Sequence, residues 1–414
     1  ISLGLVGSEM CIRDRLISLF ISFSSFVLTV IGYLLLVPIT VLFVECLAAL
    51  FPYRLQQNFG EINRIKFAVL IPAHNEAAEI GITLESLIPQ LKKDDRLLVI
   101  ADNCTDNTAL VAQQYGAIVI ERNNPNQRGK GYALDYGLSF LKSDPPDVVI
   151  IIDADCSSQP NCLQTLAGIS KQTNRPVQAA YLMESPKNPS TKDLISALAF
   201  LVKNVVRSTG LMKLGLPSLL NGTGMAFPWE AINSVSLASG NIVEDLQLGV
   251  DLTLAGCPPI FCPQIQVTGR LPQEQTAATV QRTRWEHGNL QILLSQVPYL
   301  LRSAIQFRRW ELLALALELS VPPLSLLVIF WGLGMTGAVL LNLSGAGLFV
   351  VMLFAIMGAM IFLAIFFAWI KFGRKIISGL ALLSVPFFLL WKIPIYLGFL
   401  VNPEKNWIRT TRDS

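Results

Sequence analysis

The sequence predicts an α/β domain built on a buried sheet and held between membrane-spanning helices. The first observation is compositional: of 414 residues, 52% are hydrophobic and 15% charged, against about 25% charged in soluble domains. The apolar excess is concentrated in residues 16–52 and 311–401, each long enough for at least one span of about 20 residues, whereas 53–310 has the texture of one sizeable α/β domain. The second is alternation: short β-branched runs separated by amphipathic stretches, as in βα units. The third is that successive runs end in acids, most sharply at Asp147–Cys156, DVVIIIDADC.

That last stretch organises the rest. Val148–Ile152 is unbroken and apolar, as expected of a strand buried on both faces of a parallel sheet. Asp153 and Asp155 follow two positions apart, so an extended backbone projects both carboxylates to one side, just past the carboxyl end where ligands of open α/β sheets bind. Paired hard oxygens there suit Mg²⁺ or Mn²⁺ bridging to a diphosphate. The alternative is that both acids only cap a turn and the next helix.

Taken in order, residues 1–15 contain EMCIRDR (9–15), which back-translates readily to a sequence resembling a sequencing-library transposon end, and are set aside as adaptor-derived. Residues 16–52 are expected to hold one span, near Leu28–Leu50, with Glu45 in it turned toward protein or water, or else snorkelling; Arg54, Arg64 and Lys66 mark the cytoplasmic side. The domain, 53–277, opens with a strand in KFAVLIPAHNE (66–76), and Asn75 and Glu76 either cap the following helix or face a ligand. RLLVIADNCTDNT (96–108) repeats the plan, ending in Asp102, and 117–121 forms a third strand. In the polar loop 122–131, Lys130 stands among glycines, either solvated or set against phosphates. A strand at 175–184 and a helix at about 191–213 lead to NGTGMAF (221–227), where glycines beside Thr223, Gly222 among them, allow close backbone approach or make a plain turn. Glu244 and Asp245 open another helix, answering its dipole or supplying a general base.

Residues 278–310 read as amphipathic interfacial helices, with Gln281, Arg284 and Trp285 on one face, suited to clamping a diphosphate and stacking a sugar or to sitting at headgroup depth. Within 311–401 the spans fall at about 312–340 and 348–370, and 376–401, interrupted by Pro386, Lys392 and Pro394, is a third crossing or a re-entrant hairpin. The tail is 402–414.

Several chemistries are excluded. A net charge of +3, without a basic stripe, argues against nucleic acid as a partner. Seven cysteines without a framework point to free thiols, and Cys257 and Cys262 lack the second ligand pair that zinc needs. No G-x-x-x-x-G-K-[ST] occurs, and two histidines without a Ser or Cys partner pattern leave no nucleophilic triad.

IPAHNE, ADNCTD, RGKGYALDYG, DAD, NGTG, VED and QRTRW, in that order, resemble the membrane-bound branch of glycosyltransferase family 2. That branch includes cellulose, hyaluronan and poly-N-acetylglucosamine synthases, and ceramide glucosyltransferases are similar. The resemblance implies a Rossmann-like, nucleotide-sugar-binding GT-A domain over about 66–290. It implies Asp102 on the nucleotide base with Glu76 nearby, Asp153 and Asp155 on metal and donor, Asp245 as the base for the acceptor hydroxyl, and Gln281, Arg284 and Trp285 around diphosphate and acceptor. His74 stands where the family commonly has Tyr, Val243 replaces Thr before Glu244-Asp245, and the membrane part is short. The expected activity is inverting transfer from a nucleotide sugar, a UDP-sugar, to a growing polysaccharide at the inner membrane, with the catalytic domain cytoplasmic. A single transfer to a membrane lipid and a non-catalytic nucleotide-sensing transporter are the alternatives.

Overall fold

The computed structural model describes residues 2–52, 65–184, 186, 188–240, 243–270 and 275–401. The basic positions Arg54 and Arg64 and the tail 402–414 lie outside the described residues.

Eight strands form one sheet: β1 Phe67–Ala73, β2 Arg96–Asp102, β3 Ile118–Arg122, β4 Val148–Ile151, β5 Cys156–Ser158, β6 Val177–Glu184, β7 Met225–Pro228 and β8 Ile260–Arg270, in the order β3-β2-β1-β4-β7-β6-β8-β5. β3, β2, β1 and β4 are parallel, as the buried runs predict. The other half departs from a purely parallel sheet: β7 is antiparallel to both β4 and β6, and β5 to β8. Glycines flank Thr223 just before the reversed strand β7. Gly222 (φ 90°) and Gly224 (φ 65°) adopt the left-handed backbone that bulkier residues resist, and the chain enters the sheet in the opposite sense.

The helices are α1 Ser2–Ala48, α2 Ile80–Leu87, α3 Thr108–Gln114, α4 Lys130–Leu141, α5 Cys162–Thr173, α6 Thr191–Leu201, α7 Ser208–Leu214, α8 Trp229–Asn233, α9 Glu244–Leu254, α10 Gln275–Phe307, α11 Trp310–Leu319, α12 Leu324–Leu343, α13 Phe349–Ala368 and α14 Val385–Val401. One sheet face buries Val69, Ile71 and Ile150 against Leu84 of α2 and Leu163 and Leu166 of α5. The opposite face buries Leu70, Leu98 and Phe227 against Leu134 and Leu138 of α4 and Leu248 of α9. Each fully buried aliphatic side chain contributes about 1.5–3 kcal/mol. These two layers hold the carboxyl ends of β1, β2 and β4 in register.

Five stretches are long and apolar enough to cross a membrane by length and composition: 15–48, 191–214, 324–343, 349–373 and 381–401. The 191–214 stretch differs, being 72% buried within the protein against 22–28% for the others. It packs Ile195, Leu198 and Leu201 into a core with Ile39 and Leu42 of α1 and Phe354 and Met357 of α13, tying the sheet domain to the apolar helices. Two expected boundaries move. The first apolar helix begins well before Leu28, and the expected span at 312–340 is broken after Leu319, because Pro322 and Pro323 cannot continue a helix. Residues 385–401 form one helix with Pro394 inside it.

Candidate active site

The carboxyl ends of β1, β2 and β4, the 221–224 turn, the start of α9 and one face of α10 enclose a cavity of about 400 Å³. Of the residues singled out in the sequence, Glu76, Asp102, Lys130, Asp153, Asp155, Gly222, Glu244, Asp245, Gln281, Arg284 and Trp285 all line it.

Thr223 does not. It is fully buried behind the wall, where its Oγ1 accepts a hydrogen bond from the Asp153 amide (3.0 Å) and its carbonyl accepts one from Gln178 Nε2 (2.9 Å). It positions Asp153 and offers a ligand nothing directly. Asn75 also departs from the capping alternative. Its φ is 56° and its Oδ1 accepts from the Thr105 amide (2.6 Å), which fastens the loop after β1 to the loop after β2.

Asp102 ends β2, buried, with Oδ1 accepting from Arg122 Nη1 (2.6 Å) and Asn103 Nδ2 (3.0 Å). His74, at the position where Tyr is commoner, bonds the Asp102 carbonyl through Nδ1 (2.6 Å). Arg122 escaped the sequence reading, because its only local signal is a cation at the end of a strand.

Beyond β4 the backbone does not stay extended: the strand ends at Ile151 and a turn takes in Ala154 and Asp155. The carboxylates nonetheless converge, with oxygens of Asp153 and Asp155 and the Cys156 sulfur all within 4.8 Å of one another. Burial, reinforced by the adjacent acids, pushes the Cys156 thiol well above its ordinary value, so it stays protonated, its Sγ donating to Asp155 Oδ1 (3.4 Å). The two carboxylates are the hard donors that fit Mg²⁺ or Mn²⁺.

Lys130 is the first residue of α4 rather than a loop cation. Its Nζ donates to the Gly222 carbonyl (2.7 Å), contacts Asp153 Oδ1 and lies 3.9 Å from Glu244 Oε1. Burial works against the ammonium, yet Asp153 and Glu244 outweigh it and hold the proton on. Burial raises Asp153, and Lys130 opposes it. The Asp153 side chain is still 29% exposed, which moderates the burial effect.

At the start of α9, burial, with Asp245 adding to it, pushes the Glu244 carboxyl up to about 7 against the pull of Lys130. Burial also raises Asp245, with Lys130 and Lys203 opposing. A methyl group at Gly222 would lie 3.4 Å from Asp245 Oδ2, 3.6 Å from Lys130 Nζ and 3.9 Å from Asp153 Oδ2. Three charged groups, from the segment after β4, from α4 and from α9, thus converge on the space that a glycine leaves open.

The far wall is aromatic and then apolar. Trp285 lies 6.0 Å from Phe200, which meets Tyr181 edge-on at 5.2 Å; beyond them come Leu42, Val202, Leu319, Pro322 and Phe388. A π-helical segment, Val202–Arg207, runs along this wall. From it Lys203 Nζ donates to Asn289 Oδ1 (3.0 Å), and Arg207 pairs with Glu45 Oε2 and Glu318 Oε2, both at 2.6 Å. Glu45 is thereby turned into protein. Lys203 and Arg207 were passed over because a helical stretch this apolar reads as scaffold; two isolated cations within it were the available signal.

The chain belongs to glycosyl transferase family 2. The model of "Glycosyl transferase family 2" matches residues 68–223, and that of "Glycosyl transferase family group 2" matches residues 148–390, more than half of the chain. Among curated proteins, it is 25% identical over 250 residues to the probable glycosyltransferase YdaM of Bacillus subtilis, covering 58% of each chain. It is 31% identical over 126 residues to 4,4'-diaponeurosporenoate glycosyltransferase of Staphylococcus aureus, covering 29% of this chain and 32% of that one. The chain thus spans less than two thirds of these relatives. Among solved structures, the mannosyltransferase PcManGT of Pyrobaculum calidifontis, in complex with GDP-Man and Mn²⁺, superposes with a TM-score of 0.54 at 16% identity, covering 93% of this chain and 100% of that one. That likeness establishes a shared GT-A fold extending into the apolar helices.

Proposed function

We propose that this protein is a membrane-embedded, metal-dependent, inverting glycosyltransferase that moves a sugar from a UDP-sugar to a growing polysaccharide. The observation that carries the reading is the convergence of Asp245, Lys130 and Asp153 on the space beside Gly222, a base beside the groups that would receive a diphosphate. Asp102, whose described side-chain hydrogen bonds all fall on Oδ1, keeps Oδ2 for the base N–H of the nucleotide. Asp155 and Asp153 hold Mg²⁺ or Mn²⁺, in keeping with the Mn²⁺ bound to the mannosyltransferase neighbour. When bound, the cation screens charge on the departing diphosphate.

The chain's own groups do the rest. Lys130 and Arg284 stabilise the negative charge that grows on the leaving nucleoside diphosphate. Asp245 takes the proton from the acceptor hydroxyl as its oxygen bonds to the anomeric carbon from the side opposite the breaking carbon–oxygen bond, and the diphosphate leaves with that electron pair. One displacement inverts the anomeric centre.

Membrane embedding is supported by the four apolar stretches that leave most of their surface uncovered. Donor chemistry on the cytoplasmic side is supported by the cations at the end of α1 nearest the sheet domain: Lys213 Nζ donates to the Ala49 carbonyl (2.9 Å), and Lys371 Nζ to those of Ala49 (3.0 Å) and Leu50 (2.8 Å). Transfer to a membrane lipid is the second reading, favoured by the apolar end of the cavity around Leu42, Val202 and Phe388.

The test uses purified protein in detergent, a panel of nucleotide sugars and Mg²⁺ or Mn²⁺, following nucleotide release and product mass. Asp245→Asn should still bind donor but lose transfer by about 10²–10⁴-fold, the usual weight of a general base. Near-normal turnover in that variant removes the assignment.

A further inference from the structure

We infer that the wall carrying the π-helical segment, together with the 221–224 turn, is a saccharide-binding subsite, in which Ser196, Lys203 and Asn221 hold a sugar ring of the acceptor with its reacting hydroxyl toward Asp245. The inference rests on the glycosyl-transfer reading and narrows it: the group that accepts the new sugar is itself a sugar, whether free or carried on a lipid, and not a bare lipid alcohol.

Unsatisfied hydrogen-bonding capacity is the first argument. Ser196 Oγ and Asn221 Nδ2 are cut off from solvent and have no hydrogen-bond partner, and both residues line the cavity. Native proteins rarely leave such groups unbonded, because each costs about 1–3 kcal/mol. Lys203 adds further capacity: of the three donors on its ammonium, one is used by Asn289. A hydroxyl, an amide N–H and an ammonium lining one cavity call for a partner rich in both donors and acceptors. A ring bearing several hydroxyls offers that at every carbon; the alcohol of a lipid offers one.

Backbone geometry is the second. Val202–Arg207 is π-helical between α6 and α7, a local distortion that recurs at functional sites. It sets Lys203 and Arg207 on the cavity wall, along with Ser196 and Phe200 two turns and one turn before Lys203. Aromatic surface is the third. Tyr181, Phe200 and Trp285 form a continuous apolar flank beside these polar groups, and the carbon–hydrogen face of a sugar ring is the surface that lies flat on such a flank while its edge is hydrogen-bonded. Asn221 adjoins Gly222, beside which Asp245, Lys130 and Asp153 converge, so the two sugars would meet at Asp245.

The experiment compares two branches open to a bound donor, transfer to an added acceptor and hydrolysis by water. Purified protein is given the donor that supports nucleotide release, together with octyl glycosides of glucose, galactose, mannose and N-acetylglucosamine, or with octanol or farnesol. Octyl glycosides should be glycosylated and the alcohols should not. Ser196→Ala, which removes an oxygen that bonds to nothing and so poses no threat to folding, should lower the ratio of transfer to hydrolysis several-fold, and Lys203→Met by tenfold or more through a raised acceptor KM, with Lys203→Arg recovering part of it. Equal use of octanol or farnesol, no transfer to any glycoside while nucleotide is released, or an unchanged ratio in both Ser196→Ala and Lys203→Met overturns the subsite. Absence of nucleotide release from every donor in the wild type removes the glycosyl-transfer reading itself, a result that cannot be confused with the others.

Discussion

Asp245 shows what one residue's surroundings do to its chemistry. Lys130, Lys203, Glu244 and Asp153 are the charged groups around it, and burial raises its carboxyl despite the two cations. A general base works only when ionised, so activity should fall as pH drops through this raised value, giving an acid limb above the ordinary aspartate range of about 3.9. Lys203→Met removes a cation that favours the carboxylate and should move the limb to higher pH. The check is the pH profile of kcat/KM for both proteins; identical profiles would show that Lys203 does not act on Asp245. Asp245 was legible in the sequence from Val243-Glu244-Asp245 at a helix start. Its field was not, because Lys130 and Lys203 lie more than a hundred and more than forty positions away along the chain.

Among the elements, the continuous α6–π–α7 rod decides how the apolar helices meet the sheet. Arg207 at its π-helical end bonds Glu45 of α1 and Glu318 of α11, with all three side chains no more than 7% exposed. Removing the guanidinium strands two buried carboxylates, a loss of about 3–5 kcal/mol for a broken buried pair. Arg207→Met should therefore lower the melting temperature in detergent sharply. The triple change Glu45→Gln, Arg207→Met, Glu318→Gln, which leaves no buried charge unpaired, should recover most of the loss. A triple variant as unstable as the single one would show that shape rather than charge holds the joint. The sequence announced α1 by its composition and left Glu45 either turned inward or snorkelling; the inward position is realised because Gly210 lets α7 approach so closely that any side chain there would strike the Glu45 backbone.

At the scale of the whole molecule, one cavity is polar where β1, β2 and β4 end and apolar where α1 ends and α12 and α14 begin. The donor end is held together by like and unlike charges that a cation and a diphosphate complete. Saturating UDP-sugar with Mn²⁺ should therefore raise the melting temperature by mass action, about 2.7 kcal/mol of stabilisation at a hundred times Kd, and chelation should abolish both that shift and transfer. A shift that survives chelation would place the nucleotide elsewhere or make the metal dispensable. The apolar end is anchored separately, by Glu286 of α10 in contact with Lys392 and bonded to Tyr396 of α14 (3.1 Å), with Tyr396 in turn meeting Ser325 of α12 (2.5 Å).

The amino-acid order by itself determined where the acids fall, which runs become strands, and which ends are too apolar for water. These are local matters: a buried strand is β-branched over a few residues, a carboxylate after it is the next letter, and a span is a count of apolar positions. Tertiary structure alone decided the reversal of β7, the orientation of Asp102 by Arg122, the withdrawal of Thr223 behind the wall, and the ion pairs of Arg207 with partners 162 and 111 positions away. Such contacts depend on how layers pack in three dimensions, and no pattern within a short window of sequence encodes which distant side chain arrives opposite.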